Sequence, residues 1–119
     1  MKNVWMALIA STAVLLTSPV FAHGKLLTSN PKEGASLDKA PTEVRLQFDE
    51  AVEAIFSTIK LIGPAGKEMA TDKAHVDKDD AKTVILNLPS LAAGVYKAEW
   101  SMVGPDGHRV KGEVRFSVR

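Results

Sequence analysis

Tyr96-Lys97-Ala98-Glu99-Trp100-Ser101-Met102 carries the pattern of a half-buried strand. Tyr96, Ala98, Trp100 and Met102 alternate with Lys97, Glu99 and Ser101. Successive side chains of an extended chain point to opposite faces, so one face of this segment belongs in a core and the other in water. Trp100 falls on the inward set and is expected to be a core aromatic.

The same period of two recurs on both sides. Val44, Leu46 and Phe48 alternate with Glu43, Arg45 and Gln47, and Val114, Phe116 and Val118 alternate with Glu113, Arg115 and Ser117. Ile55 to Ile62 is apolar and β-branched and reads as a further strand. Lys82 to Leu88 reads as another with Val84, Leu86 and Leu88 inward, and Lys25 to Thr28 supplies a short edge strand. The breaks fall at turn formers: Asn30-Pro31-Lys32-Glu33-Gly34, Ala40-Pro41, Gly63-Pro64-Ala65-Gly66, Pro89 to Gly94, and Gly104-Pro105-Asp106-Gly107. Six or seven short strands in about 97 residues predict an all-β, two-sheet sandwich of immunoglobulin-like architecture, with a small barrel as the alternative. Met69 to Ala81, crowded with Asp72, Lys73, Asp77, Lys78, Asp79 and Asp80, is expected to be a solvated loop.

Residues 1–22 read differently. Lys2 precedes a mostly apolar stretch from Val4 to Leu16, and Val20-Phe21-Ala22 ends it with small residues at the last and third-last places. That is the pattern of a cleaved signal peptide, and the apolar run falls short of the ~20 residues that span a bilayer. The expected organisation is a signal peptide at 1–22 and one exported domain at 23–119, beginning at His23. Setting Lys2 aside leaves 14 basic against 14 acidic side chains. No basic excess is present to recruit nucleic acid or an anionic membrane. With no cysteine, disulfides, thiolate metal sites and thiol catalysis are excluded, and the domain relies on its hydrophobic core.

The chain has three histidines, His23, His75 and His108. As a first residue, His23 would offer an α-amino group, which loses its proton near pH 7.7–8.0, together with the imidazole of the same residue, so that two nitrogens close a chelate ring on one ion. The plain alternative is a histidine left by chance at a frayed terminus. Asp106-Gly107-His108 places a carboxylate and an imidazole two residues apart at the start of the last strand, where extended geometry would turn both to one side. Its plain alternative is a β-turn over Gly104-Pro105-Asp106-Gly107, with Pro second and Gly fourth. No Ser/His/Asp arrangement, phosphate-binding glycine loop or zinc-protease motif occurs.

His23-Gly24-Lys25-Leu26-Leu27-Thr28-Ser29-Asn30-Pro31-Lys32-Glu33-Gly34-Ala35, Ala40-Pro41, Leu46-Gln47-Phe48-Asp49-Glu50, Gly94-Val95-Tyr96-Lys97-Ala98-Glu99-Trp100, and Asp106-Gly107-His108 with Gly112 and Phe116 together resemble the CopC family of periplasmic copper-binding proteins. The resemblance implies a Greek-key β-sandwich of about seven strands with one Cu(II) at one end. The ligands it implies are His23, through amine and imidazole, with Asp106 and His108, and in some members a weak, distant carboxylate that falls on Glu50. An amine, two imidazoles and a carboxylate suit the tetragonal preference of Cu(II), which heads the divalent series for such donors. These donors must be deprotonated, so binding is expected to weaken as pH falls through and below about 6.5.

The implied role is a monomeric periplasmic copper carrier or buffer, not an enzyme. Its partners would be the copper ion and an inner-membrane copper transporter or a periplasmic cuproprotein. Two other readings stay open: a copper-dependent oxidative enzyme, since an N-terminal histidine with a second histidine resembles the histidine brace, and a metal-free interaction module. The methionine-rich Cu(I) site that some family members carry is not matched here. Only Met69 and His75 occupy the region, so His75 is expected to be a solvated loop residue and Met69 loop packing. Gly104-Pro105 is a second departure, in place of a less constrained pair.

Overall fold

A computed structural model of the chain describes residues 25–119. The expected signal segment and His23 lie outside the described residues. The elements, in chain order, are β1 (Leu26–Asn30), β2 (Ala35–Leu37), β3 (Glu43–Phe48), a 3-10 turn (Ala54–Phe56), β4 (Thr58–Ile62), β5 (Glu68–Met69), β6 (His75–Asp77), β7 (Asp80–Asn87), β8 (Gly94–Val103) and β9 (Arg109–Val118). They form a β-sandwich of a four-stranded sheet, β1-β3-β7-β6, and a five-stranded sheet, β2-β9-β8-β4-β5.

The alternation read from the sequence becomes burial. Val44, Leu46 and Phe48 of β3, Tyr96, Ala98, Trp100 and Met102 of β8, and Val114, Phe116 and Val118 of β9 all enter one core. Removing a side chain such as Phe48 or Leu46 from water contributes about 1.5–3 kcal/mol. Phe48 meets Trp100 edge-on at 5.1 Å and 71° across the two sheets. At the other end of β8, Tyr96 stacks on Phe116 at 5.6 Å. Its hydroxyl donates to the Ala92 carbonyl at 2.7 Å, a corner tie of the kind that sandwich folds use to seat a strand. Trp100 has room because its cross-strand partner on β9 is Gly112. A Cβ there would stand 2.3 Å from the ring's Cζ2 and 2.6 Å from Cε2.

The structure adds three details to the expected fold. The six longer strands match the six or seven expected, and β2, β5 and β6, two- or three-residue segments too short for a period to show, bring the count among the described residues to nine. The strand read over Ile55 to Ile62 is only Thr58–Ile62. Ser57, buried at its base, donates to the Glu53 carbonyl at 2.8 Å and accepts the Val103 N–H at 3.0 Å. Those bonds tighten the preceding residues into the 3-10 turn and leave Ile55 87% exposed.

Third, Met69 to Ala81 is not one loop. Met69 pairs with Leu61 on β5, and His75 with Ile85 on β6. His75 is exposed, on an edge strand, and Met69 packs against the core. The aspartates build the β6–β7 turn. Asp77 accepts the Asp79 N–H at 3.1 Å and Arg45 at 2.6 Å, while Asp80 accepts the Lys82 N–H at 2.9 Å and the Thr83 hydroxyl at 2.7 Å. Both carboxyls are held below the usual carboxylate range, Asp77 first by the Asp79 amide and then by Arg45, Asp80 first by the Thr83 hydroxyl and then by the Lys82 amide.

Candidate metal centre

The loop between β8 and β9 is a tight turn. The Gly107 N–H donates to the Gly104 carbonyl at 2.9 Å, and the Gly104 N–H donates to the His108 carbonyl at 3.2 Å. Gly107 has φ +83 and a Cβ there would meet nothing within 4 Å, so its glycine serves the left-handed backbone that closes the turn. Asp106-Gly107-His108 is therefore not extended, and the strand begins one residue later, at Arg109. The carboxylate and the imidazole still converge, by another route. Asp106 Oδ1 accepts the His108 N–H at 3.0 Å, and Asp106 Oδ2 meets His108 Nδ1 at 2.8 Å. The His108 side chain is 76% exposed. With Nδ1 engaged by the carboxylate, Nε2 is the nitrogen available to an ion, and such a pairing orients a ligating ring.

A second loop from the opposite sheet lies against this one. The Glu53 N–H donates to the Val103 carbonyl at 2.8 Å, and Ser57 holds the Val103 N–H, so the chain after β3 is clamped to the end of β8. Arg109 Nη1 donates to the Phe56 carbonyl at 3.1 Å and to Ser101 Oγ at 2.6 Å, fixing the 3-10 turn beside the start of β9. Glu50 Oε2 is buried and lies 3.1 Å from the Cβ position of Gly104, with Asp106 Oδ1 3.5 Å from the same point. A cleft of about 440 Å³ borders the loop, lined by Glu53, Phe56, Val103, Gly104, Pro105, Gly107 and Arg109.

The entry of the chain is tied to the same end. The Lys25 N–H donates to Asp49 Oδ1 at 2.8 Å, and the Asp49 N–H donates to the Lys25 carbonyl at 3.0 Å. Because β1 runs antiparallel to β3, with Leu26 opposite Phe48, the first described residue sits next to Asp49. Of the four site residues read from the sequence, Asp106 and His108 are in contact and Glu50 reaches the same loop. His23 lies outside the described residues. Among the described residues no three His, Asp or Glu side chains form a complete metal cluster by themselves. The parts played by Asp49, Ser57 and Arg109 are not legible in the sequence, where only the Asp49-Glu50 pair after a strand end carries any signal.

A two-sheet sandwich with an Asp-x-His turn at one end and a carboxylate approaching it from the other sheet defines a narrow class. A model of the CopC domain matches residues 26–119, and the chain belongs to the CopC family. Protein YobA of Escherichia coli K12 is 38% identical over 119 residues, covering 99% of this chain and 96% of that protein. Copper resistance protein C of Pseudomonas syringae pv. tomato is 34% identical, covering 92% and 90%. Copper transport protein CutJ of Bacillus subtilis is 36% identical over 118 residues, 98% of this chain but only 22% of that protein. Among solved structures, CopC from Methylosinus trichosporium OB3b superposes with a TM-score of 0.76 at 29% identity, covering 81% of this chain and 93% of that one.

Proposed function

We propose that this chain is a periplasmic copper-binding protein that holds one Cu(II), acting as a carrier or buffer in copper homeostasis or resistance. Residues 1–22 are its signal peptide, and the working protein begins at His23. The observation that carries this reading is the Asp106–His108 pair, set beside Glu50 at the end of the sandwich where Lys25 is pinned to Asp49. His23 is two residues from Lys25 in the sequence, and the bonds of Lys25 to Asp49 support a site for its donors at this end.

The donors fit the ion. His23 brings the amine and its ring, His108 brings a ring nitrogen, and Asp106 brings a carboxylate oxygen once its contact with His108 Nδ1 opens, because a carboxylate held on one ring nitrogen cannot reach an ion held on the other. Glu50 completes the set as a weaker carboxylate. Nitrogen and oxygen donors of this kind favour Cu(II) over other divalent first-row ions. Among the described residues no thioether cluster for Cu(I) stands beside them, since Met69 is packed toward the core.

The role is binding without catalysis. Copper passes onward to an inner-membrane transporter or a periplasmic cuproprotein, a reading supported by the Bacillus relative, named for copper transport, in which this domain is about a fifth of the chain. The protein acts as a monomer.

The test is a Cu(II) titration against a competing chelator, using protein that starts at His23 and a matched form with one extra residue ahead of it. Tight 1:1 binding lost in the extended form is expected. Equal affinity in both forms would reject His23 as the anchoring ligand, and no binding in either would reject the function.

A further inference from the structure

We infer that Gly104 is a positioning residue of the metal centre: its missing side chain is the space into which the Glu50 carboxylate closes beside Asp106. The inference rests on the centre proposed above.

Gly104 is not a glycine for backbone reasons. The glycines with positive φ are Gly34, Gly66, Gly94 and Gly107, so the conformation at 104 is open to ordinary residues. Space is what distinguishes it. A Cβ at 104 would lie 3.1 Å from Glu50 Oε2, 3.5 Å from Asp106 Oδ1 and 4.0 Å from the Ala51 carbonyl. Two carboxylate oxygens, one from each sheet's loop, thus converge on the bare face of one Cα.

The loop cannot simply swing aside to admit a methyl group. Both backbone polar groups of Gly104 are engaged, the N–H with His108 and the carbonyl with Gly107, and Val103 before it is held by Glu53 and Ser57. Glu50 is the partner that gives, by a few tenths of an ångström. Folding tolerates a shift of that size at the far end of a flexible side chain. Metal binding registers it, because the displaced carboxylate is one that faces the ion, and shifting such a group alters how the stronger ligands are oriented. The Gly104→Ala substitution should therefore be quiet in the apo protein and visible in the copper complex.

The experiment takes protein beginning at His23 as wild type, Gly104→Ala, Glu50→Ala and the double variant. Each is titrated with Cu(II) against a chelator, with electron paramagnetic resonance spectra of the loaded forms and melting curves of the apo forms. The expected result is that Gly104→Ala weakens Cu(II) about tenfold and shifts the copper hyperfine coupling while the apo melting point stays near wild type. In the Glu50→Ala background the same substitution should cost less than about twofold, because the two residues act through one contact. Unchanged affinity and spectrum in Gly104→Ala overturn the inference, as does a penalty that persists in full without Glu50. Should Glu50→Ala fail to fold, Gly104→Val decides: affinity falling in the order glycine, alanine, valine supports the inference, and no trend refutes it. A wild-type protein that does not bind Cu(II) removes the centre itself, whereas wild-type binding with a silent Gly104→Ala removes only the role of the glycine.

Discussion

Gly112→Ala should damage the core out of proportion to one methyl group. The added Cβ would stand 2.3 Å from Cζ2 and 2.6 Å from Cε2 of Trp100, against ordinary carbon contacts of about 3.5–4.0 Å. Relief therefore needs roughly 1 Å of ring movement. The ring has nowhere to go, because it is 7% exposed and set edge-on against Phe48 at 5.1 Å. Its Nε1 is buried without a hydrogen-bond partner among the described residues, so packing alone seats it. Overpacking of a filled core costs about 1–3 kcal/mol and loss of the aromatic pair about 0.5–1.5 kcal/mol. The sum, about 1.5–4.5 kcal/mol, corresponds to a fall in melting temperature on the order of 6–36 °C for a domain of this size. Trp100 is the only tryptophan beyond residue 22, so urea unfolding followed by its fluorescence reports on the perturbed site directly. In a Trp100→Leu background the glycine substitution should cost much less than it does alone. A Gly112→Ala stability within about 0.5 kcal/mol of wild type would show that the ring yields and that Gly112 is not needed for its packing.

Further outcomes follow from the same geometry. His108→Ala should abolish tight Cu(II) binding while leaving the apo stability within about 0.5 kcal/mol of wild type, since the ring is 76% exposed; retained affinity would count against the proposed ligand. Asp49→Ala removes the acceptor of the Lys25 N–H and should weaken copper several-fold, with a stability loss of about 1 kcal/mol, checked by the same titration and by thermal melts. Asp77 and Asp80 carry carboxyls held low in the folded state. The unfolded chain therefore binds protons at a higher pH than the native one, and the stability these two groups contribute is complete above about pH 4 and lost as pH falls through their depressed native values. Urea midpoints measured from pH 6 down to pH 2 should decline in that acid range, and Asp80→Asn should flatten the decline. A profile unchanged by Asp80→Asn would remove that residue from the account.

Part of the candidate site is legible in the sequence because its candidate donors are chemically unusual where they stand. Asp106 and His108 are two residues apart beside a turn, and their convergence can be expected. An extended strand is not what brings them together, since Gly107 at φ +83 folds the triplet into a turn in which Asp106 bonds the His108 backbone as well as its ring. Ile55 and Phe56 read as strand because their side chains are β-branched and aromatic. The local hydrogen bonds of Ser57 override that propensity, and nothing in composition signals them. The crowded aspartates of 72–80 read as a solvated loop because charge usually marks solvent. Here two of them instead cap a hairpin turn and tie it to Arg45 and Thr83.

The alternation of apolar and polar residues, unaided, was enough to determine that this chain forms strands with one buried face, because the period of a strand is a property of the backbone. The turn formers set where those strands end, and the absence of cysteine ruled out thiol chemistry. Tertiary structure alone decided that the loop after β3 is clamped to the end of β8 and that Lys25 enters beside it. It also decided that the Glu50 and Asp106 carboxylates both approach Gly104. Those contacts join residues far apart along the chain, and their distances depend on how two twisted sheets pack face to face, which no local sequence pattern encodes.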